Sequence, residues 1–391
     1  ESERCYTLHK LINLRQGFGK RKDDRIPVRA MAPVFMEEFL SRKEYYEDYI
    51  KDVVGVDAAG KTDEEKLAIL QAYRAEGVEI WGLTPVNEPH GNNGQWESMH
   101  FTAQSQNEFI KHHLGPKLHQ SGYSDLKLLI LDHARNHLEQ WAEVIYSDPQ
   151  SARYVDGAAV HWYESSFKVY EEVFDRVHEK YPEYSIIHTE GCIDDLGNEA
   201  PDGVLDPGRF TEEGWFDNDA FWWNDNATDW AYSVTWEGVD PDDHPLYTPV
   251  HRYARNIIVS LNHWVSGWID WNCVLDQRGG PNHVGNHCGA PIMIDTQTGY
   301  VYYTPVYYVL SQLSRTIRPG DRAVQTDTRL ERSTGDCLYA SASLSAAGLL
   351  SVQVLNTAKD AIDYALQLDD RYAVLTVKAN SLQTVRVQLA G

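Results

Sequence analysis

The chain has 391 residues, and its 35 Lys and Arg against 58 Asp and Glu give a formal net charge of −23. A chain this acidic, with no basic block, disfavours nucleic acid or an anionic membrane as a partner because the electrostatic interaction is repulsive. Apolar residues make up 42% of the chain and aromatic residues 12%, which excludes intrinsic disorder. No apolar run approaches the roughly 18 residues that span a bilayer, so we expect no transmembrane segment.

Short apolar segments alternate with amphipathic helical patterns through the first 318 residues. The segments predicted as buried strands are Val28–Ala32, Ile80–Val86, Leu128–Leu131, Gly157–Trp162, Ser185–Thr189 and Gly267–Trp271. Helical patterns lie at Leu67–Tyr73, Leu138–Ile145 and Thr248–Val265. This alternation predicts a parallel sheet, either a barrel or a doubly wound sheet. No glycine-rich phosphate loop follows any strand, which disfavours a nucleotide-binding fold.

The composition changes after Arg318-Pro319-Gly320. All twelve Trp lie between Trp81 and Trp271. The tail instead contains short apolar or alternating segments separated by Gly, Asn and Asp, namely Leu338–Ala342, Leu350–Leu355 and Ala373–Val377. This pattern is typical of a small antiparallel β domain. We therefore predict a (β/α) barrel catalytic domain over residues 1–318 and a β-sandwich-like side domain over residues 319–391.

Polar residues follow the predicted strands. Asn87 and Glu88 follow the second strand, and Glu190 follows the fifth. In a barrel these positions are the carboxyl ends of strands, where barrel enzymes place their active sites. Glycoside hydrolysis with retention needs one protonated carboxyl group to protonate the leaving oxygen and one carboxylate to attack the sugar. A single strand-end Glu would be interpreted as a salt-bridge partner, but the pair favours a catalytic role.

Six distinctive stretches follow one another in the chain, namely Leu83-Thr84-Pro85-Val86-Asn87-Glu88-Pro89, Leu129-Ile130-Leu131-Asp132, Tyr154-Val155-Asp156-Gly157-Ala158-Ala159-Val160-His161-Trp162-Tyr163, Thr189-Glu190-Gly191-Cys192, Gly267-Trp268-Ile269-Asp270-Trp271-Asn272 and Gly279-Gly280-Pro281-Asn282. Over residues of about 67–354 these motifs resemble glycoside hydrolase family 30, the glucocerebrosidase (glucosylceramidase)-like retaining β-glycosidases. The resemblance implies a TIM (β/α)8-type barrel with an antiparallel β side domain.

The same resemblance implies the roles of the site residues. Glu88 corresponds to the acid/base and Glu190 to the nucleophile, and Tyr163 would orient Glu190. The substrate-binding positions carried over are Asn87, Asp132, Arg135, His161, Tyr163, Trp271 and Asn286. The implied substrate is a β-glucoside or β-glycan, and no cofactor or metal is expected. The resemblance favours a secreted, periplasmic or lysosomal location over a cytoplasmic one, and it makes no prediction of oligomeric state.

The sequence also departs from the family pattern. Val34 stands where the family has a Trp, and only 27 residues precede Val28. A single βαβ unit takes roughly 30 residues, so we expect a barrel that lacks its first strands and an N-terminally truncated chain. This departure keeps a carbohydrate-binding pseudoenzyme or an inactive fragment open as an alternative to a glycosidase.

Two further alternatives concern the reaction. A lengthened segment over residues 194–246 keeps a β-1,6-glucanase or a β-xylosidase open beside a glucosylceramidase-like enzyme. His283 and His287, next to Cys288, superficially suggest a metal-dependent hydrolase. The residues between these histidines do not favour a helix, so loop histidines near a cleft are the favoured interpretation.

Overall fold

The computed structural model describes residues 70, 72–90, 99–163, 168–192, 247–276, 280, 290–294, 296, 299, 301–329, 337–358 and 360–389. The predicted strand Val28–Ala32, the segment over residues 194–246 and the site residue Asn286 lie outside these residues.

Five strands form one sheet in the order of the sequence. They are β1 (Gly82–Leu83), β2 (Lys127–Ala134), β3 (Gly157–His161), β4 (Ser185–Glu190) and β5 (Val265–Trp268). β1 pairs with β2, and β4 with β5, in parallel. A doubly wound sheet reverses its strand order at a switch point, whereas a barrel adds strands sequentially. The sequential order confirms the predicted TIM-barrel-type sheet.

The five strands overlap the predicted apolar segments, but the bounds of β1, β2 and β5 differ; β5 ends at Trp268, whereas the prediction ran to Trp271. Every residue of β3 is buried, as expected for a parallel strand covered on both faces. β1 is shorter than the predicted Ile80–Val86 and ends before Pro85. Proline has no N–H to donate to a neighbouring strand, which accounts for the early end.

Helices lie between the parallel strands, except the last helix, which follows β5. They are α1 (Ala103–Phe109), α2 (Gly115–Gln120), α3 (Leu138–Tyr146), α4 (Pro149–Ala152), α5 (Glu171–Lys180), α6 (Tyr247–Asn262) and α7 (Pro305–Thr316), with a π-helical turn at Ile110–Leu114 and a 3-10 turn at Arg135–His137. The predicted apolar face of α3 is confirmed, because Leu138, Trp141 and Ile145 are all buried. Within the described part of the chain, none of the helices combines the length and apolarity that crossing a membrane requires.

The C-terminal strands are antiparallel, as predicted. A four-stranded sheet has the order β14 (Ser381–Gln388), β11 (Leu349–Asn356), β10 (Leu338–Leu344) and β9 (Arg322–Val324). A hairpin joins β12 (Ile362–Leu368) to β13 (Arg371–Val377). Earlier in the chain, a three-stranded sheet contains β6 (Val274–Asp276), β7 (Ile292–Ile294) and β8 (Val301–Tyr303); β6 and β7 pair in parallel, and β7 and β8 are antiparallel. The boundary between residues 318 and 319 stays a prediction.

The chain divides into two compact units that interleave along the sequence. One contains the described residues up to Pro89 together with Met99–Asp132 and Gln140–Ala158. In this unit the Lys127 ammonium donates to Asp156 at 2.7 Å, and the same carboxylate accepts the N–H of Leu128 at 3.0 Å. These contacts attach the start of β3 to the start of β2.

The second unit contains the described residues among His90–Ser98, His133–Glu139 and Ala159–Gly391. One apolar core in this unit includes Tyr253 and Ile257 of α6, Leu313 of α7 and Leu355 of β11. Hydrogen bonds reinforce this packing. The Gln312 amide of α7 donates to the Leu382 carbonyl at 3.1 Å and to the Thr384 hydroxyl at 2.9 Å, both on β14. The helices that follow β4 and β8 therefore share one core with the C-terminal sheet.

Candidate active site

Glu88 lies in the segment that follows β1. Its side chain is 4% exposed, and its N–H donates to the carbonyl oxygen of Asp132 at 2.9 Å. Its backbone has a φ of 48°, which is left-handed for a residue with a side chain. Such a conformation costs about 1–2 kcal/mol and is found where the surroundings hold it, often at functional sites.

Asp132 anchors this part of the site. It has a φ of 63° in β2, and its buried carboxylate accepts the Thr84 hydroxyl at 2.6 Å. Asn87 is adjacent to Glu88 and partly exposed. The structure thus brings three predicted site residues together in the first unit.

Glu190 is the last residue of β4 and is 7% exposed. His161 ends β3, and its Nε2 lies 4.0 Å from Oε2 of Glu190. The ring of His161 is edge-on to that of Tyr163, with centroids 6.0 Å apart. The Tyr163 hydroxyl donates to Sγ of Cys192 at 3.6 Å. In the second unit, the ends of β3 and β4 therefore place His161 beside Glu190, and the orientation of Glu190 by Tyr163 stays a prediction.

The segment after β5 lies along the end of β4. The N–H of Ile269 donates to the His188 carbonyl at 2.8 Å, and that of Trp271 donates to the Gly191 carbonyl at 2.7 Å. Trp271, a predicted site residue, is partly exposed. A Cβ at Gly191 would lie 2.9 Å from the His188 ring and 3.2 Å from that of Trp162, so a side chain there would displace a ring. The close approach therefore requires glycine directly after Glu190.

A hydrogen-bonded relay lies beside Glu190, and no role was predicted for its residues from the sequence. The Trp268 indole N–H donates to the Tyr253 hydroxyl at 3.3 Å, and that hydroxyl donates to Oδ1 of Asp270. Asp270 keeps some exposed surface, but its carboxyl group is desolvated. Burial raises the pKa of Asp270 to about 8, and the charge of Glu190 adds to the rise, while the bond from Tyr253 opposes it.

Asp270 stands in a motif that sequence reasoning had already singled out, between Trp268 and Trp271. Tyr253 gave no such signal, because its contact depends on how α6 packs. Burial also raises the pKa of Tyr253 well above its usual range, so it remains a neutral donor.

Arg135 is completely buried. Its guanidinium donates to Oδ1 of Asn256 at 2.9 Å and to the Lys168 carbonyl at 3.0 Å. These contacts anchor the turn after β2 to α6 and to the segment before α5. Direct contact of Arg135 with a sugar stays a prediction.

Three histidines outside the predicted set lie together in the second unit. They are His90, His133 and His137, and one ring nitrogen of each lies within 4.8 Å of the others. Burial lowers the pKa of His133 well below its usual range, and the nearby His90 and His137 act in the same direction. Their nitrogen donors are of the kind that bind transition metals.

A parallel sheet in sequential order, with a buried glutamate after one strand and another at the end of a second, is the arrangement of a TIM-barrel protein. The family described as Glycosyl hydrolase family 30 TIM-barrel domain matches residues 64–238 and 235–317, which is more than half of the chain. The chain belongs to glycosyl hydrolase family 30.

Two relatives of the chain are named as glucosylceramidases. Putative glucosylceramidase 4 of Caenorhabditis elegans is 30% identical over 327 residues, which is 81% of this chain and 54% of the relative. Lysosomal acid glucosylceramidase of Mus musculus is 31% identical over 258 residues, 65% of this chain and 42% of the relative. The chain thus spans about half the length of these relatives.

Solved structures share the fold. SrfJ from Salmonella typhimurium has a TM-score of 0.65 at 22% identity, covering 83% of this chain and 61% of SrfJ. An endo-β1,6-glucanase has a TM-score of 0.62 at 21% identity, covering 84% of this chain and 65% of the glucanase. At these identities the similarity concerns the fold alone.

Proposed function

We propose that the chain is a retaining β-glycosidase that hydrolyses a β-glucosidic bond of the glucosylceramide type. The observation that carries the proposal is the pair of buried glutamates, Glu88 after β1 and Glu190 at the end of β4, in one parallel sheet. Family membership supports the reaction class, and the two glucosylceramidase-named relatives support a β-glucoside as substrate.

Glu190 acts as the nucleophile in the proposed first step. Its carboxylate attacks the anomeric carbon and forms a glycosyl ester, while Glu88 gives its proton to the departing glycosidic oxygen. In the second step Glu88 takes a proton from water, whose oxygen attacks the anomeric carbon and releases Glu190. Both carboxyl groups regain their starting state, so the net reaction is hydrolysis with retention.

The surroundings of Glu190 suit this role. A nucleophile must be ionised, and the imidazole of His161 at 4.0 Å offers a polar partner to the carboxylate. The partly exposed Trp271 gives an apolar surface for the C–H face of a sugar. Asn87 would bond the 2-hydroxyl, and we assign other sugar hydroxyls to Asp132 and Asn286, while the buried Arg135 and Tyr163 would position the site.

Glu190→Gln tests the nucleophile with an aryl β-glucoside. We expect kcat/KM to fall by at least about a thousandfold, because an amide cannot form the glycosyl ester. A 2-deoxy-2-fluoro-glucoside should label Glu190 in the unsubstituted protein. The control is Glu172→Gln on α5, where a partly exposed carboxylate pairs with the ammonium of Lys168 at 2.8 Å. Labelling of another carboxylate would refute the assignment.

Glu88→Gln tests the acid/base. We expect hydrolysis of a substrate with a poor leaving group to fall by about 10²–10⁴-fold, because protonation of the leaving oxygen is lost. Azide, which needs no general base, should restore turnover of an activated aryl glucoside as glucosyl azide. Absence of this rescue, with normal folding, would count against Glu88.

The substrate is tested by comparing glucosylceramide with β-1,6-gluco-oligosaccharides and aryl β-xylosides. Preference for glucosylceramide is expected. Preference for the glucan would identify a β-1,6-glucanase instead, and preference for the xyloside a β-xylosidase. Sugar binding without turnover of any of the three would instead identify a carbohydrate-binding pseudoenzyme.

A further inference from the structure

The cluster of His90, His133 and His137 has the dimensions of a metal site. The ring centroid of His90 lies 4.8 Å from that of His133 and 4.6 Å from that of His137, and the centroids of His133 and His137 are 5.6 Å apart. A tetrahedral zinc ion with Zn–N bonds of about 2.0–2.1 Å holds imidazole centroids about 5 Å apart. The three observed separations lie on both sides of this value.

The scaffold under two of the histidines is firmly held. His133 belongs to β2 and His137 ends the 3-10 turn that follows, and they are 3% and 8% exposed. Between them, Arg135 attaches this turn to α6 and to the segment before α5 through its buried guanidinium. His90 is partly exposed, which gives an ion a route from solvent.

The donor set selects the class of ion. Three imidazole nitrogens suit zinc, copper or nickel, whereas magnesium and calcium prefer oxygen ligands. Three protein ligands also leave one tetrahedral position for water or a fourth group. We propose that His90, His133 and His137 bind one Zn²⁺ ion.

The proposed ion has a structural consequence. His90 lies two residues after Glu88 in the sequence. A zinc ion held by His90 would tie this segment to the turn after β2 and restrict its movement. The ion takes no part in the double displacement, so the inference does not depend on the proposed function.

The test is zinc binding by the whole chain, first treated with chelator and then titrated calorimetrically with Zn²⁺. We expect one ion per chain, a rise in Tm with zinc, and the intense visible absorption of a tetrahedral complex when Co²⁺ replaces zinc. His90→Ala should weaken zinc binding at least tenfold and abolish the cobalt absorption. Because His90 is partly exposed, we expect this variant to fold.

The control is His112→Ala, which removes an exposed histidine in the π-helical turn. It should bind zinc as the unsubstituted protein does. The proposal is overturned if the unsubstituted protein binds no zinc at micromolar concentrations. It is also overturned if His90→Ala binds zinc unchanged, an outcome that would place the ion elsewhere, such as at His283 and His287.

Discussion

Asp270→Asn tests the desolvated carboxyl group beside Glu190. With a pKa of about 8, Asp270 is protonated in the folded protein at neutral pH. In the unfolded chain an Asp ionises near pH 3.9, so between about pH 4 and pH 8 the folded state binds one more proton at this residue. Stability then falls as pH rises, by about 1.4 kcal/mol per pH unit from this group alone.

Between pH 5 and pH 7 the loss from Asp270 amounts to about 2.7 kcal/mol. The amide introduced by D270N cannot ionise, yet its oxygen still accepts the hydroxyl of Tyr253. The variant therefore escapes this loss. We expect its free energy of unfolding, minus that of the unsubstituted protein, to increase by about 2.7 kcal/mol between pH 5 and pH 7.

The measurement is urea unfolding of both proteins at several pH values, with infrared spectroscopy of the folded proteins. The carbonyl stretch of a protonated carboxylic acid should be present in the unsubstituted protein at pH 6 and reduced in D270N. Tyr253→Phe is the matched variant. It removes the bond that lowers the pKa of Asp270, so its infrared band should persist to higher pH. Parallel stability profiles with no change in the band would refute the reasoning.

Two further substitutions test packing. Gly115→Ala should destabilise the protein by about 1–3 kcal/mol in thermal unfolding, because its Cβ would lie 2.4 Å from Cγ of Tyr154. Helix propensity alone predicts stabilisation of up to about 1 kcal/mol, so a higher Tm would contradict the packing argument. Arg135→Met should cost about 2–5 kcal/mol in urea unfolding, because the buried Asn256 oxygen and Lys168 carbonyl lose a donor. An unchanged urea midpoint would mean that water replaces the guanidinium.

The parallel strands were the most predictable part of the fold. Strands covered on both faces are continuously apolar, and β3 is buried along its whole length. The hairpin strand β12 and the last strand β14 were missed. In β12 partly buried and exposed positions alternate, and the polar Asp363 and Gln367 interrupt the apolar pattern. Half-buried strands of this kind depend on the partner strand more than on their own composition.

The candidate site was predictable where its residues stand in strand-end motifs. Glu88, Asp132 and Glu190 all belong to such motifs. The partnership of Tyr253 with Asp270 was not predictable, because it depends on which face of α6 packs inward. The histidine cluster joins His90 to a pair more than forty positions further along the chain, and only the spacing of that pair, four residues apart, offered a signal.

The shared core of α6, α7 and β11 has a consequence for inherited variation. Leu355 of β11 is completely buried in the same core as Tyr253, the donor to Asp270. A substitution in the C-terminal strands can therefore loosen the support of the site without touching a sugar. Residues remote from the chemistry would then evolve together with it, and loss-of-activity variants would be expected in the tail as well as in the cleft.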